Sequence, residues 1–280
     1  MPPPASIVVP TRGRPGYLAV TLASVAPQVQ AAGAELLVVE DGPATGEVTA
    51  LAARHGARHL AHGRARGLNA ARNTGVAATT GELVAFLDDD VLVADGWLAA
   101  LLDAAGRHPG HGLLGGPIHA RLEGPPLRFC GREPAPVTTL DLGPADREAE
   151  FLWGANFAVR RGALARVGPF DERLEIYGDE EDWQRRHRDT GGRARYVAGA
   201  GVQHRRAGDD ARLRGLARAA YGRGRSLRRY DAHKGTAPGP GRELRVLAGC
   251  LWHTGRRRCA NGVIMAAHSA GRLREALAGP

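Results

Sequence analysis

Cysteine is scarce in this 280-residue sequence: Cys130, Cys250 and Cys259 are odd in number, far apart and without a CxxC pair. A disulfide framework or a zinc site is not expected from that spacing, and a reducing cytoplasm suits it. Lysine is scarcer still. Of 38 basic residues only Lys234 is a lysine, a skew that, with the many Ala, Gly and Pro, reads as GC-rich coding rather than as chemistry. No stretch approaches the ~20 apolar residues that a membrane-spanning helix needs. The start, MPPPASIVVPTRGRP, lacks the charged-then-apolar pattern of a signal peptide. A soluble or membrane-peripheral chain is therefore expected, and no internal repeat is present.

What is there begins with charge. The formal net charge is +9, but it is unevenly placed. Residues 205–280 carry 17 Lys+Arg against 5 Asp+Glu, whereas residues 1–204 are slightly acidic. The basicity belongs to the last quarter, so a high overall pI is no argument that the main domain binds nucleic acid. With 43% hydrophobic residues the chain can bury a sizeable core, which excludes global disorder.

Through the first half, apolar runs of strand length alternate with helical segments. Residues 6–10 (SIVVP), 35–40 (ELLVVE), 57–61 and 82–87 (ELVAFL) read as strands. Residues 17–25, 45–55, 68–78 and 95–105 read as helices. Alternation of this kind with fully apolar strands implies a parallel sheet covered on both faces. Polar clusters follow the first, second and fourth strands, at the carboxyl ends where open α/β sheets bind ligands. Residues 117–150 are rich in Pro and Gly and read as irregular. Residues 151–160 read as a strand, 161–167 and 179–190 as helices, and 194–197 as a strand. Beyond residue 204 three basic helices are expected, over 211–230, 242–253 and 260–277, with a break at GTAPGPG.

The sharpest local signal is Asp88-Asp89-Asp90 at the end of an apolar strand. Three clustered carboxylates repel one another unless a cation or hydrogen-bond donors sit among them. Carboxylates together with diphosphate oxygens suit Mg²⁺ or Mn²⁺; a solvated turn capping the next helix is the plain alternative.

The surrounding motifs bear on that choice. They are Pro10-Thr11-Arg12-Gly13-Arg14, Glu40-Asp41-Gly42, Gly67-Leu-Asn69-Ala-Ala-Arg72-Asn73-Thr-Gly75 and Gly81-Glu82-Leu83-Val84-Ala85-Phe86-Leu87-Asp88-Asp89-Asp90. Downstream come Gly154-Ala155-Asn156-Phe157-Ala158-Val159-Arg160-Arg161, Val167-Gly168-Pro169-Phe170-Asp171-Glu172 and Tyr177-Gly178-Asp179-Glu180-Glu181-Asp182-Trp183. In this order and spacing they resemble glycosyltransferase family 2 over about residues 5–205. The resemblance implies a GT-A fold, a Rossmann-like mixed sheet flanked by helices, over 1–205. A basic α-helical extension then spans 206–280. It also implies an inverting enzyme that moves a sugar from a nucleotide-sugar donor (UDP-, GDP- or dTDP-linked) to an acceptor hydroxyl, with a divalent metal, Mn²⁺ or Mg²⁺.

Carried over by residue, Thr11 and Asp41 would contact base and ribose, Arg72 the nucleotide and Asp88 the ribose. Pro10, Arg14, Glu40, Asn69 and Asp89 belong to the same donor side. Asp90 and His204 would bind metal, with Asp88 as a further ligand. Trp153 and Asn156 fall on the acceptor side, where Trp153 either stacks on a sugar or belongs to the core.

The general base lies among four acids. Asp179 and Asp182 can form a capping box. Glu181 and Asp182 each have an arginine four residues on, Arg185 and Arg186, so helix pairing accounts for them. Glu180 has Gln184 at that spacing and aligns with the aspartate of the family's E-D pair. It is the expected base, with Glu181 and Asp182 next should the register slide.

Two other readings stay open. A nucleotidyltransferase of sugar nucleotides would need a Gly-rich, lysine-bearing first loop, and PTRGRPGY is not one. A non-catalytic nucleotide-sugar-binding module has no need of the acids at 179–182. The acceptor (glycan, lipid-linked or small molecule) is not written in the sequence. For the basic tail the readings are a solvated surface, a peripheral face at the inner side of a membrane, where Leu244, Val246, Leu247, Leu251 and Trp252 mix with arginines, or a phosphate-bearing acceptor. Nucleic acid is not expected, because aromatic interleaving is missing.

Overall fold

The computed structural model describes residues 3–131, 137–174 and 179–278. They divide into two compact units. The first takes its described residues from Met1–His119, Thr138–Arg173 and Asp179–His204, the second from Ala120–Val137, Leu174–Gly178 and Arg205–Pro280.

The chain begins with β1 (Ala5–Thr11), α1 (Pro15–Ala32), β2 (Glu35–Glu40), α2 (Gly46–Arg54), β3 (Arg58–Ala61), α3 (Leu68–Ala78), β4 (Leu83–Leu87) and β5 (Val91–Val93). It continues with α4 (Trp97–Arg107), β6 (Leu113–Gly115), β7 (Ile118–Glu123), β8 (Arg147–Ala149), β9 (Asn156–Arg160), α5 (Arg161–Val167), α6 (Asp179–Asp189), β10 (Ala194–Tyr196) and β11 (Val202–Ala207).

Eight strands form one sheet in the order β3-β2-β1-β4-β9-β6-β10-β8. The first four are mutually parallel, as the alternation of strand and helix implies. β9 then enters antiparallel to both β4 and β6, which makes the sheet mixed. Every residue of β1 and β4 is buried, and this is why those segments read as unbroken apolar runs. Their alternate side chains serve opposite faces. Ile7, Val9 and Ala85 pack with Leu18, Leu22 and Val25 of α1 and Trp97 and Leu101 of α4. Val8, Val84 and Phe86 pack with Ala71 of α3, Leu164 of α5 and Trp183 of α6. Each fully buried Val, Leu, Ile or Phe contributes roughly 1.5–3 kcal/mol, so this two-faced core fixes the sheet edge on which the polar clusters sit.

Three local readings change. α1 does not stop at residue 25 but runs through Pro27 to Gly33, whose left-handed conformation caps it. The buried series Leu18, Leu22, Val25, Ala26 and Val29 continues past the proline, and that packing outweighs one lost backbone hydrogen bond. The segment 117–150 contains β7 and β8 and an isolated bridge between Ile118 and Leu140. The strand read at 151–160 begins only at Asn156, after a turn at Gly154.

The second unit is built on α7 (Leu213–His233), α8 (Pro240–Arg257) and α9 (Ala260–Ala278). Leu216, Ala220 and Ile264 form its small core. α7 and α9 approach so closely that a Cβ on Gly224 would stand 2.0 Å from the His268 carbonyl oxygen. The three helices also meet in an ion network in which Arg272 donates to Glu243 (2.9 Å) and Asp231 (2.9 Å). α8 buries only Glu243 and leaves Leu244, Val246, Leu251 and Trp252 exposed. Among the described residues, no helix is long and apolar enough to cross a membrane.

Candidate active site

Register brings the motifs to one edge of the sheet. Thr11 at the end of β1 pairs with Glu40 at the end of β2. Leu87, the last residue of β4, faces Asn156, the first of β9. The Asp88–Asp90 turn, the Glu40-Asp41 turn and the turn before β9 therefore open at the same level.

The aspartate turn is held from several sides. The Thr21 hydroxyl of α1 accepts the Val91 N–H (3.2 Å) and lies 2.8 and 2.7 Å from the Asp89 and Val91 carbonyls. Thr11 donates its hydroxyl to Asp89 (2.6 Å). Arg14 bonds Asp89 with one guanidinium nitrogen and Asp90 with the other, the latter at 2.9 Å. Burial nevertheless pushes the Asp89 carboxyl up to about 6 against the pull of Arg14. Its side chain is enclosed and its oxygens are taken, so Asp89 locks the turn.

Asp88, Asp90 and His204 each offer one ligand atom, all within 4.8 Å of one another. β11 pairs with β5, His204 opposite Val91, and this delivers the histidine to the aspartates. Its Nδ1 lies 3.3 Å from the Thr138 carbonyl oxygen, and its Nε2 lies 3.1 Å from the Asp90 carboxylate. Burial, followed by the Asp90 charge, raises the Asp88 carboxyl above the ordinary range, while His204, Arg72 and Arg14 act in the other direction. Two crowded carboxylates with an imidazole nitrogen among them fit a divalent cation, with oxygen and imidazole donors of the kind Mn²⁺ accepts.

Asp41 faces the start of α3. Its carboxylate accepts the backbone N–H groups of Arg66 (2.7 Å) and Gly67 (3.1 Å) and contacts His62 (3.0 Å). Burial opposes the ionised form, but these partners hold the carboxyl below the usual aspartate range. Arg72, one turn into α3, is almost wholly buried. Its guanidinium lies over the rings of Phe157 and Phe170, 5.5 and 5.7 Å from their centroids, and donates to Asn69 Oδ1 (3.0 Å).

Glu180, near the start of α6, accepts the Gly154 N–H (3.2 Å). A Cβ on Gly154 would come within 2.7 Å of Arg72 Nη2 and 3.2 Å of the Glu180 carboxyl carbon. Glycine at 154 thus lets an acid and a guanidinium converge on one turn. One helical turn later Gln184 clamps the same segment, accepting the Leu152 N–H (2.9 Å) and donating to the Leu152 carbonyl (2.6 Å). Asp182 is engaged by Arg185 (2.9 Å) and Arg186 (2.8 Å).

Several residues expected to meet substrate also bond within the protein. The Glu40 carboxylate is occupied by Thr45 and His59. Asn69 spends its amide on Asp171 and Arg72. Asn156 accepts from the Trp97 indole (2.9 Å) and donates to the Pro117 and Ala200 carbonyls, which ties the start of β9 to its neighbours. Pro10 is buried within β1, and the Thr11 hydroxyl serves Asp89. Trp153 is half-buried against Phe151, with ring centroids 5.0 Å apart. The side chain of Asp179 lies outside what the structure describes. Sequence reading missed Thr21, Gly154 and His62 as supports; Gln184 was noticed only as the residue lacking a charge.

The dependence on Gly154 is testable. Gly154→Ala is expected to lower turnover by about 10²-fold, the cost of a misplacement near 1 Å. The melting temperature should change little, because the clash is with the far ends of two side chains. Unchanged turnover would show that the meeting of Arg72 and Glu180 has no role.

The sequence matches Glycosyl transferase family 2 over residues 6–168, more than half its length. The chain belongs to glycosyl transferase family 2. Among family relatives, the pre-mycofactocin glycosyltransferase of Mycobacterium tuberculosis is 33% identical over 209 residues, covering 71% of this chain and 42% of that protein. The N-acetylglucosaminyl-diphospho-decaprenol L-rhamnosyltransferase of the same species is 32% identical over 181 residues, 54% of this chain and 58% of the relative. The family 2 chain thus spans about half the length of these relatives. Solved structures share its fold. GalNAc-T7, solved with UDP, GalNAc and Mn²⁺, superposes with a TM-score of 0.59 at 17% identity over 79% of this chain and 47% of that one. S. aureus TarS 1-349 superposes at 0.55 with 13% identity over 97% and 88%. The fold is of the GT-A type.

Proposed function

We propose that this chain transfers a sugar, with inversion, from a nucleoside-diphosphate donor to an acceptor hydroxyl. The observation that carries the reading is Arg72. This buried cation acts on Asp88 on one side and shares the Gly154 turn with the Glu180 carboxylate on the other. A leaving-group region and a base thereby belong to one constellation.

In this reading the Glu180 carboxylate takes the proton from the acceptor hydroxyl. The acceptor oxygen then bonds to the anomeric carbon from the face opposite the diphosphate, and the carbon–oxygen bond to the nucleoside diphosphate breaks. Arg72 and Arg14 hold the departing negative charge in place. Asp41 orients the nucleoside at the start of α3, and Trp153 offers a ring face to the acceptor. Asp88, Asp90 and His204 would hold Mn²⁺ or Mg²⁺, which supplies Lewis-acid stabilisation of diphosphate oxygens.

A panel of UDP-, GDP- and dTDP-sugars, assayed for transfer and for slow hydrolysis with and without Mn²⁺, tests the reading. Metal-dependent release of nucleoside diphosphate is expected from at least one donor. Binding without release would favour a non-catalytic module, and pyrophosphate exchange a nucleotidyltransferase.

The helical unit supports a lipid surface as the place where the acceptor is met. On α8 the side chains of Leu244 (57% exposed), Leu251 (57%) and Trp252 (67%) stand beside Arg245 and Arg256, and Arg256 lies over the Trp252 ring at 5.5 Å. Apolar groups flanked by arginines suit the boundary of an anionic bilayer, each basic group adding about 1 kcal/mol. Co-sedimentation with anionic vesicles is expected, falling steeply with salt. Equal binding to neutral vesicles, or none at low salt, would reject it.

A further inference from the structure

The spacing of the cysteines gives no hint of a metal site, yet the helical unit brings two of them together with a histidine. The Cys130 N–H donates to Cys259 Sγ (3.2 Å), and Cys130 Sγ lies 3.4 Å from His253 Nε2. One ligand atom from each of Cys130, His253 and Cys259 lies within 4.8 Å of the others. The backbone fixes this juxtaposition independently of the side chains, because the Ala260 N–H donates to the Arg128 carbonyl (2.8 Å). Residues 128–130 therefore run alongside the short connection between α8 and α9.

That connection is strained. Arg258 is the only non-glycine residue with positive φ among the described residues, at 49°. A helix end of this shape usually takes glycine, and a residue with a Cβ there is strained. The twist turns the chain sharply at the end of α8 and delivers Cys259, one residue later, beside His253 on the last turn of that helix.

We propose that Cys130, His253 and Cys259 form a zinc site in the helical unit, distinct from the aspartate cluster of the sheet unit. Two thiolates and one imidazole are a soft-to-borderline donor set that selects Zn²⁺ over Mg²⁺ or Mn²⁺. Binding one ion releases the thiol protons and leaves the imidazole neutral. Cys130 is exposed, so water has access to supply the fourth ligand of a tetrahedral zinc. The ion would clip residues 128–130 to the α8–α9 connection across 129 positions of sequence, a closure that stabilises the unit when metal is present.

The test uses the full chain, reduced, stripped with a chelator and titrated with Co²⁺ in excess Mg²⁺. Cobalt on two thiolates gives a sulfur-to-metal charge-transfer band that a carboxylate–imidazole site cannot produce. The band is expected to saturate at one cobalt per chain and to be displaced by Zn²⁺. Cys130→Ser and Cys259→Ser should abolish it, His253→Gln should weaken binding on the order of tenfold or more, and Cys250→Ser should leave it intact. Should a variant fail to fold, the wild-type chain still decides: Zn²⁺, and not Mg²⁺, should slow alkylation of Cys130. Absence of the band, or its persistence in Cys130→Ser, would overturn the proposal. So would a chain isolated with a Cys130–Cys259 disulfide that takes up no cobalt after reduction.

Discussion

Replacing Glu180 with glutamine is expected to lower turnover by about 10²–10⁴-fold, the usual cost of losing a positioned general base, while donor and metal affinity stay nearly unchanged. Four acids crowd residues 179–182, and Glu180 and Asp182 differ in their partners. Asp182 is held by Arg185 and Arg186 at 2.9 and 2.8 Å and works as a helix-surface pair. Glu180 is fixed by the Gly154 N–H at 3.2 Å, beside Arg72, and Gln184 keeps α6 from sliding relative to Leu152. Glutamine preserves the shape and the bond from Gly154 and removes only basicity. The control is Glu181→Gln, which should cost far less. A near-normal rate for Glu180→Gln, with a large loss for Glu181→Gln or Asp182→Asn, would move the base along the helix.

Removing the Asp90 carboxylate should have an effect of similar size on a different quantity. Asp90 meets His204 at 3.1 Å and Arg14 at 2.9 Å, so it is the acid shared by the ligand set and the positive wall. Residues that merely support metal ligands are worth about 10–100-fold in affinity. Asp90→Ala is therefore expected to weaken Mn²⁺-dependent binding of a nucleoside diphosphate by about 10²-fold or more. Calorimetry of UDP, GDP and dTDP with and without Mn²⁺ measures this directly. Asp90→Asn, which retains the volume, guards against a folding defect, because it leaves Arg14 and His204 a polar neighbour. Wild-type affinity that is the same with and without Mn²⁺ would remove the cation from the account.

Much of the sheet unit was legible because its signals are local. Unbroken apolar runs mark β1, β2 and β4, and the Asp88-Asp89-Asp90 turn shows where β4 ends. What pattern could not supply is which polar atom each side chain spends on the protein itself. Thr11, Glu40, Asn69, Asp89 and Asn156 lie among the right motifs, yet their oxygens and amides also bond neighbours 3–102 positions away in sequence. Only the folded chain reveals that. Gly154 and Thr21 carry no chemistry of their own, so nothing about their identity announces that one admits Arg72 and Glu180 and the other braces the aspartate turn. The cysteines illustrate the same limit more sharply: a spacing argument sees Cys130 and Cys259 as isolated, whereas the backbone pairing at Arg128 and Ala260 makes them neighbours.

The central claim is inverting transfer by a base on α6 opposite a cation-assisted leaving group. It is tested most directly by the anomeric configuration of the first-formed product, followed by proton NMR with the donor that the panel identifies. A product of the configuration opposite to that in the donor is expected, formed with Mn²⁺, abolished by EDTA and lost in Glu180→Gln. A product that keeps the donor's configuration, or turnover that continues undiminished in EDTA, would contradict it.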